Sequence, residues 1–266
     1  MTPASFRKIV WAHYKKHGRH DLPWRKTHDV YKVLVSEVML QQTQVERVIP
    51  FYKKFIKQFQ TAKKLAAVPL SQVLTAWQGL GYNRRAKMLH TAAKKLAARK
   101  SISIAGLEEL PGVGPYTACA IAAFAGNKNV IFIETNIRTA IIHYFFPGKK
   151  KVSDALIEKV LIQVLPKGKS REWYSALMDY GAHLKREGIS HNARSKKYVK
   201  QAKFTGSLRE ARGAILRALA STRKYQGEAL LNVLGVRRKT QMKTALNALC
   251  TEGLVQKRSN AFVLPS

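Results

Sequence analysis

Apolar residues return every three or four positions along most of this chain. The spacing covers residues 30–44, 49–59, 71–77, 85–98, 117–125 and 155–165. Each stretch predicts an amphipathic or buried helix. Few segments alternate as strands do. Helix-stopping punctuation falls at Leu22-Pro23, Val68-Pro69, Gly79-Leu80-Gly81, residues 111–115, Pro147-Gly148 and Pro166-Lys167-Gly168. The expectation for residues 1–184 is a packed, mainly α domain.

The pattern changes after Gly181. Residues 185–206 are polar, basic and short of core positions, so they read as a linker, either plain or resting on phosphate. From Ser207 a new pattern starts. Ser207-Leu208-Arg209-Glu210 fits a capping box opening a helix to about Ser221. A short helix follows near 227–234 and a longer one over 239–252. The end, 253–264, reads as two short strands around a polar turn. Three helices and a hairpin give a small winged-helix-like domain over 207–266. Arg237, Arg238, Lys239 and Lys243 would line its third helix, the one such domains often place in the major groove. Protein binding, or covering of the first domain, is the other reading.

Charge narrows the partner. The chain has 48 Lys+Arg against 15 Asp+Glu, a net charge of +33. Self-repulsion on that scale suits a polyanion, and double-stranded DNA is the expected partner of a monomer. No apolar run is long enough for a membrane, and Met1–Lys8 lacks a signal-peptide core. The expected location is the cytoplasm of a prokaryote, at the nucleoid. Two cysteines, Cys119 and Cys250, exclude a disulfide framework and a four-cysteine metal site.

Candidate chemistry lies in two places. In Leu110-Pro111-Gly112-Val113-Gly114-Pro115-Tyr116-Thr117 the glycines permit a tight turn and Pro115 suits the first position of a helix. Backbone amides of Gly112, Val113, Gly114 and Thr117, with the positive helix end, make a phosphate clamp. About twenty residues on come Glu134 and Asn136. The second place is Glu37, in the apolar run 33–40. If buried, its charged form is disfavoured and its pKa rises, as a general acid near neutral pH requires. The alternative is a salt-bridged or surface glutamate.

These residues fall in an ordered set of motifs. Leu22-Pro23-Trp24-Arg25, Val35-Ser36-Glu37-Val38-Met39-Leu40-Gln41-Gln42, Gly79-Leu80-Gly81-Tyr82, the 110–116 hairpin and Met178-Asp179-Tyr180-Gly181-Ala182 follow one another. The sequence resembles the helix-hairpin-helix DNA glycosylases, and within them the adenine glycosylase (MutY) branch, from about Trp11 to His183. The resemblance implies a two-lobed helical fold, with a six-helix lobe over about 25–133 and a second lobe built from 1–24 and 134–184, that flips a base from DNA and hydrolyses its N-glycosidic bond. It implies that Glu37 is the general acid and that Glu134 stabilises positive charge on the sugar. Asn136 would lie near the substrate backbone. Trp24, Arg25, Leu40 and Asp179 would edge the base pocket, and Gln42 and Tyr82 would wedge into the duplex. Phosphate contacts are expected from Arg84, Arg85, Lys87, Lys185, Arg186, Arg194, Lys196 and Lys197.

The chain departs from the family in four ways. Glu134 stands where the family usually has aspartate; a surface glutamate capping a helix is the other reading. Tyr116 stands where strand-cleaving relatives carry a lysine, so a monofunctional enzyme without lyase activity is expected. The four cysteines that commonly hold an iron–sulfur cluster are missing, so no cluster is expected. A monovalent cation, Na or K, at the 110–114 hairpin is compatible with the family. The usual C-terminal reader of 8-oxoguanine has no counterpart in residues 207–266. Adenine opposite 8-oxoguanine or guanine is the leading substrate. Uracil or thymine opposite guanine, a damaged purine, or non-catalytic DNA binding are the rivals.

Overall fold

The structure is a computed structural model that describes residues 1–99, 101–194, 203–222 and 225–266. It forms two compact units: Met1–Glu37 with Val113–Lys200, and Val38–Gly112 with Gln201–Ser266. The sequence placed the lobe boundaries near 25 and 133 and set the C-terminal domain apart. The division instead falls at 37/38 and 112/113, and the C-terminal domain joins the lobe of residues 38–112.

The first unit is built on α11 (Ser170–Arg186). Around it pack α1 (Pro3–His17), α8 (Pro115–Gly126) and α9 (Thr135–Phe145), while α10 (Asp154–Val164) packs on α1 and α9. Trp173, Leu177, Tyr180 and Leu184 recur at helical spacing on α11 and are buried. They meet Phe6 and Val10 of α1 and Ile137, Ala140 and Ile141 of α9 in one apolar cluster. None of α1, α9 and α11 was among the periodic segments read from the sequence, although α11 carries its apolar residues at unbroken helical spacing. Thr2 caps α1 by accepting from the Ser5 N–H at 3.2 Å.

α9 and α11 approach at backbone distance. A Cβ on Gly181 would lie 2.0 Å from the Asn136 carbonyl oxygen. Only glycine permits this crossing, and it fixes where residues 134–136 sit.

In the second unit, α3 (Val45–Gln58), α4 (Ala62–Ala67), α5 (Leu70–Ala76) and α6 (Arg84–Ala97) enclose Val48, Phe55, Leu65, Trp77 and Leu89. Phe55 meets Trp77 edge to face at 5.9 Å. α7 (Ile104–Glu108) leads to the glycine hairpin. α2 (Val30–Leu40) runs from the first unit into the second and ends four residues earlier than its apolar pattern. Gln42 adopts φ +56°, which no α-helix continues through.

The C-terminal domain has the winged-helix order: α12 (Leu208–Ser221), β1 (Tyr225–Gln226), α13 (Gly227–Leu231), α14 (Lys239–Thr251), β2 (Gln256–Arg258) and β3 (Ala261–Val263). β1 is the piece that the sequence pattern missed. It pairs antiparallel with β3, which also pairs with β2. In the capping box Ser207 Oγ accepts from the Glu210 N–H at 3.4 Å, and Glu210 turns back to the Gly206 N–H at 2.8 Å. The domain packs on the lobe. Gln78 Nε2 donates to the Leu216 carbonyl at 3.2 Å, and Ser71 N–H donates to the Pro265 carbonyl at 2.9 Å.

Gly181→Ala is therefore expected to lose about 1–3 kcal/mol, the usual cost of overpacking a filled contact. Gly148→Ala, with nothing within 4 Å of the added carbon, should change stability by no more than about 0.5 kcal/mol. Urea unfolding of both variants checks the pair, and equal losses would show that the crossing tolerates a side chain.

Candidate active site

Glu37 lies on α2 and is buried, with 8% of its surface exposed. Its neighbours in the chain, Val33 to Met39, are buried too. Burial, and then the negative charge of Glu134, push its carboxyl up to about 8. A carboxyl with that value is mostly protonated at neutral pH. Tyr116, at the start of α8, packs edge to face on Phe132 at 5.6 Å. Burial drives its phenol well above its ordinary range, and the charges of Glu37 and Glu134 add to the shift. The three side chains are thus close enough to feel one another's charge.

Glu134 occupies the N-cap of α9. One carboxylate oxygen accepts from the Asn136 N–H at 2.6 Å. The other accepts from Thr135 Oγ1 at 2.5 Å and Asn136 Nδ2 at 3.2 Å. Three donors and the N-terminal end of α9 thus surround this carboxylate. Lys185 on α11 donates to Asn136 Oδ1 at 2.7 Å and to Thr135 Oγ1 at 3.3 Å. Burial lowers the pKa of this ammonium and the Glu134 charge opposes that. The site therefore holds one acid kept neutral by loss of water, one carboxylate held by donors, and one half-buried amine. The sequence assigned Lys185 to phosphate; its amine instead completes the Glu134–Asn136 cluster.

The remaining expected residues separate into three groups. Asp179 does not edge an open pocket. It is 2% exposed and both of its oxygens are spent on ion pairs, with Arg19 Nη2 at 2.6 Å and Arg25 Nη1 at 2.7 Å. Arg25 also donates to the Ser175 and Arg19 carbonyls, and Trp24 beside it is buried. The guanidinium of Arg25 is thus held inside the unit. Thr117, expected at phosphate, is 4% exposed; the first turn of α8 faces it into the core.

A second group are arginines that brace loops. Arg85 is buried and donates to the carbonyls of Val38, Met39 and Gln41 at the end of α2 and of Gly81 after α5. Arg194 donates to the carbonyls of Phe146 and Lys149. Neither is placed for phosphate, because carbonyls without helical partners take their donors. In the C-terminal domain Arg238 pairs with Glu210 at 2.8 Å and Lys239 pairs with Glu228. Lys87 donates to the Glu252 carbonyl.

The third group remains exposed: Arg84, Arg186, Arg237 and Lys243. Lys196 and Lys197 lie outside the described residues. Gln42 and Tyr82, with Leu40, belong to the second unit. Gln42 and Tyr82 both hold left-handed backbone, φ +56° and +48°. For residues with a side chain this costs of the order of 1–3 kcal/mol each. Gly112 in the hairpin is left-handed at φ +81°, whereas Gly114 is extended and caps α8.

Comparison with known proteins identifies the family. The model of the "HhH-GPD superfamily base excision DNA repair protein" matches residues 35–166. An adenine DNA glycosylase of Mycolicibacterium smegmatis is 33% identical over 92% of this chain and 90% of its own length. The chain belongs to the HhH-GPD superfamily of base excision DNA repair proteins. An adenine DNA glycosylase of Buchnera aphidicola subsp. Baizongia pistaciae is 36% identical over 68% of this chain, which spans 53% of that relative. Among solved structures, a thermostable thymine-DNA glycosylase superposes with a TM-score of 0.61 at 28% identity, over 68% of this chain and 86% of its own. The fold is thus that of a base excision DNA glycosylase, as the motifs implied.

Asp179 offers a direct test of its bracing role. Burial raises its carboxyl, but hydrogen bonds and charge from Arg25, then Arg19, outweigh burial and leave it below its ordinary value of 3.8. Asp179→Asn should cost about 3–5 kcal/mol near neutral pH, because it strands a buried guanidinium. A depressed native pKa stabilises the fold in full above the unfolded value, and that stability is lost as pH falls through the native one. The gap between wild type and variant should therefore close in acid. Urea unfolding at a series of pH values measures it, and a gap independent of pH would remove the ion pair as its cause.

Proposed function

We propose that this protein is a monofunctional DNA glycosylase that turns a base out of the duplex and hydrolyses its N-glycosidic bond. Adenine opposite guanine or 8-oxoguanine is its substrate. The observation that carries the reading is Glu37, a carboxyl buried in α2 where loss of water favours its protonated form, within electrostatic reach of Glu134, a second carboxylate surrounded by donors. That pairing of two carboxyls in opposite environments serves glycosidic cleavage.

The roles follow from the environments. Glu37 gives its proton to the departing base as the bond from the base to C1′ of the sugar breaks. The resulting carboxylate takes a proton from the attacking water, whose oxygen bonds to C1′. Glu134 offers negative charge to the sugar while it is electron-poor. Lys185 and Asn136 hold that carboxylate in place. Tyr116 keeps its phenolic proton and contacts the sugar. It has no amine to form a Schiff base, so an intact abasic strand is the product.

An iron–sulfur cluster needs four thiolates. The chain has two, Cys119 in α8 and Cys250 in α14, so its residues do not fit one and no step passes through it. Carbonyls of residues 110–114 are the proposed seat of a monovalent cation, Na or K. Among the described residues no helix is long and apolar enough to cross a membrane. A monomer acting on lesion-bearing duplex DNA at a prokaryotic nucleoid is the proposed setting.

A second reading is removal of thymine or uracil opposite guanine. The thymine-DNA glycosylase likeness favours it, and the catalytic carboxyls would serve either base.

Single-lesion duplexes treated with protein and then alkali decide between them. The expected result is strand scission at adenine opposite guanine and 8-oxoguanine, with less than about a tenfold preference between the two, or ~1.4 kcal/mol. Scission only at thymine or uracil would transfer the assignment to the second reading. Glu37→Gln should abolish release of the base and leave DNA affinity within a few-fold. The wild-type single-turnover rate should hold through neutral pH and fall as pH rises through about 8, where Glu37 ionises. A rate still rising above that value would exclude Glu37 as the acid.

A further inference from the structure

The second unit has a pocket of 330 Å³ where the C-terminal domain meets the lobe. Gln42, Tyr82 and Arg84 line it from the lobe, and Arg209, Arg212 and Glu252 line it from the C-terminal domain. Its two C-terminal arginines behave differently. Arg212 is neutralised by a two-pronged pair with Glu252, at 2.9 and 2.6 Å. Arg209 instead donates from Nη1 to the Tyr82 hydroxyl at 2.6 Å, and its guanidinium lies 5.1 Å from the centre of the same ring. The Phe204 ring lies 5.8 Å from that guanidinium on the approach to α12. The adjacent carboxylate, Glu210, is taken by Arg238 and the Gly206 N–H. Within the lobe a second guanidinium, that of Arg85, lies 5.3 Å from the Tyr82 ring.

Tyr82 needs such support. It follows Gly81, sits in left-handed backbone and begins the turn into α6. The Arg209 fork is one of the contacts that fix the direction of this phenol. The planar fork of arginine can hold a hydroxyl and a ring face together, which lysine cannot.

We propose that Arg209 is a positioning residue for Tyr82, and that through it the C-terminal domain sets how readily a base is turned out of the duplex. The proposal rests on the base-removal reading above and extends it to a domain that reading leaves without a role. Tyr82 fills the gap that the departing base leaves. An arginine that fixes the ring beforehand removes the need to order it during that step. The effect belongs to extrusion and not to bond cleavage.

The test uses the full chain with Glu37→Gln, so that no chemistry is required. A duplex with 2-aminopurine beside the adenine of an adenine–guanine mismatch reports extrusion by its fluorescence in stopped flow. Arg209→Ala should slow the fluorescence rise about tenfold or more. Arg209→Lys should fall between, because it keeps charge and loses the fork. Tyr82→Phe keeps the ring and loses the acceptor. The double variant Arg209→Ala/Tyr82→Phe should be no slower than Arg209→Ala alone, since both remove one contact. Thermal unfolding of each variant separates positioning from loss of fold. A structural role would lower stability and leave Arg209→Lys no better than Arg209→Ala. An Arg209→Ala rate equal to the parent, or losses that multiply in the double variant, would overturn the proposal. A parent without any fluorescence change would overturn the base-removal reading, and this inference with it.

Discussion

The site depends on keeping one carboxyl out of water. Glu37 stands in a helix whose surrounding residues are Val33, Leu34, Val35, Val38 and Met39, all buried for the sake of the core. That packing leaves an ionised carboxylate with nothing to replace its hydration, so the proton stays. The same burial has a cost. A carboxyl whose native pKa is raised stabilises the fold below its unfolded value, and that contribution is lost as pH climbs through the native one. The fold thus bears an acid that weakens it in base.

Glu134 solves the opposite problem. Its position at the N-cap of α9 supplies the backbone N–H of Asn136, and the side chains of Thr135 and Asn136 supply two further donors. The two acids differ in what surrounds them, not in chemistry. Gly181 controls the second environment from across the interface, because the close approach of α11 to Asn136 holds the donors and brings Lys185 within reach. A backbone crossing, an N-cap and an amine therefore act as one unit.

The helical fold was largely legible in the sequence because apolar periodicity reports core-facing stripes directly. The stretches at 30–44, 49–59, 85–98 and 155–165 became α2, α3, α6 and α10. The first-unit helices that escaped, α1, α9 and α11, carry its core on narrow stripes set among polar and charged residues, as with Trp173, Leu177, Tyr180 and Leu184 on α11. β1 escaped because two residues have no period. Motif order located Glu37, Tyr116 and Glu134. It could not report that Gln42 and Tyr82 take left-handed backbone, since that is imposed on ordinary residues by the turns around them.

Charge was the least legible feature. A net charge of +33 reads as a surface for DNA, yet Arg25, Arg85 and Arg194 face inward. Irregular backbone explains the difference. The segments these arginines brace lie where helices stop: after Leu40, around Gly81, and between Phe146 and Lys149. Helix ends leave carbonyls without intrahelical donors, and a guanidinium offers five donors in one plane. A single Arg85 therefore satisfies the end of α2 and the turn before Tyr82 at once. Lysine carries its three donors on a single nitrogen and could not reach both segments at once. Arginine in this chain occupies two settings that composition cannot separate: exposed positions such as Arg84, Arg186 and Arg237, and inward ones such as Arg85 that hold the non-helical turns at Gln42 and Tyr82.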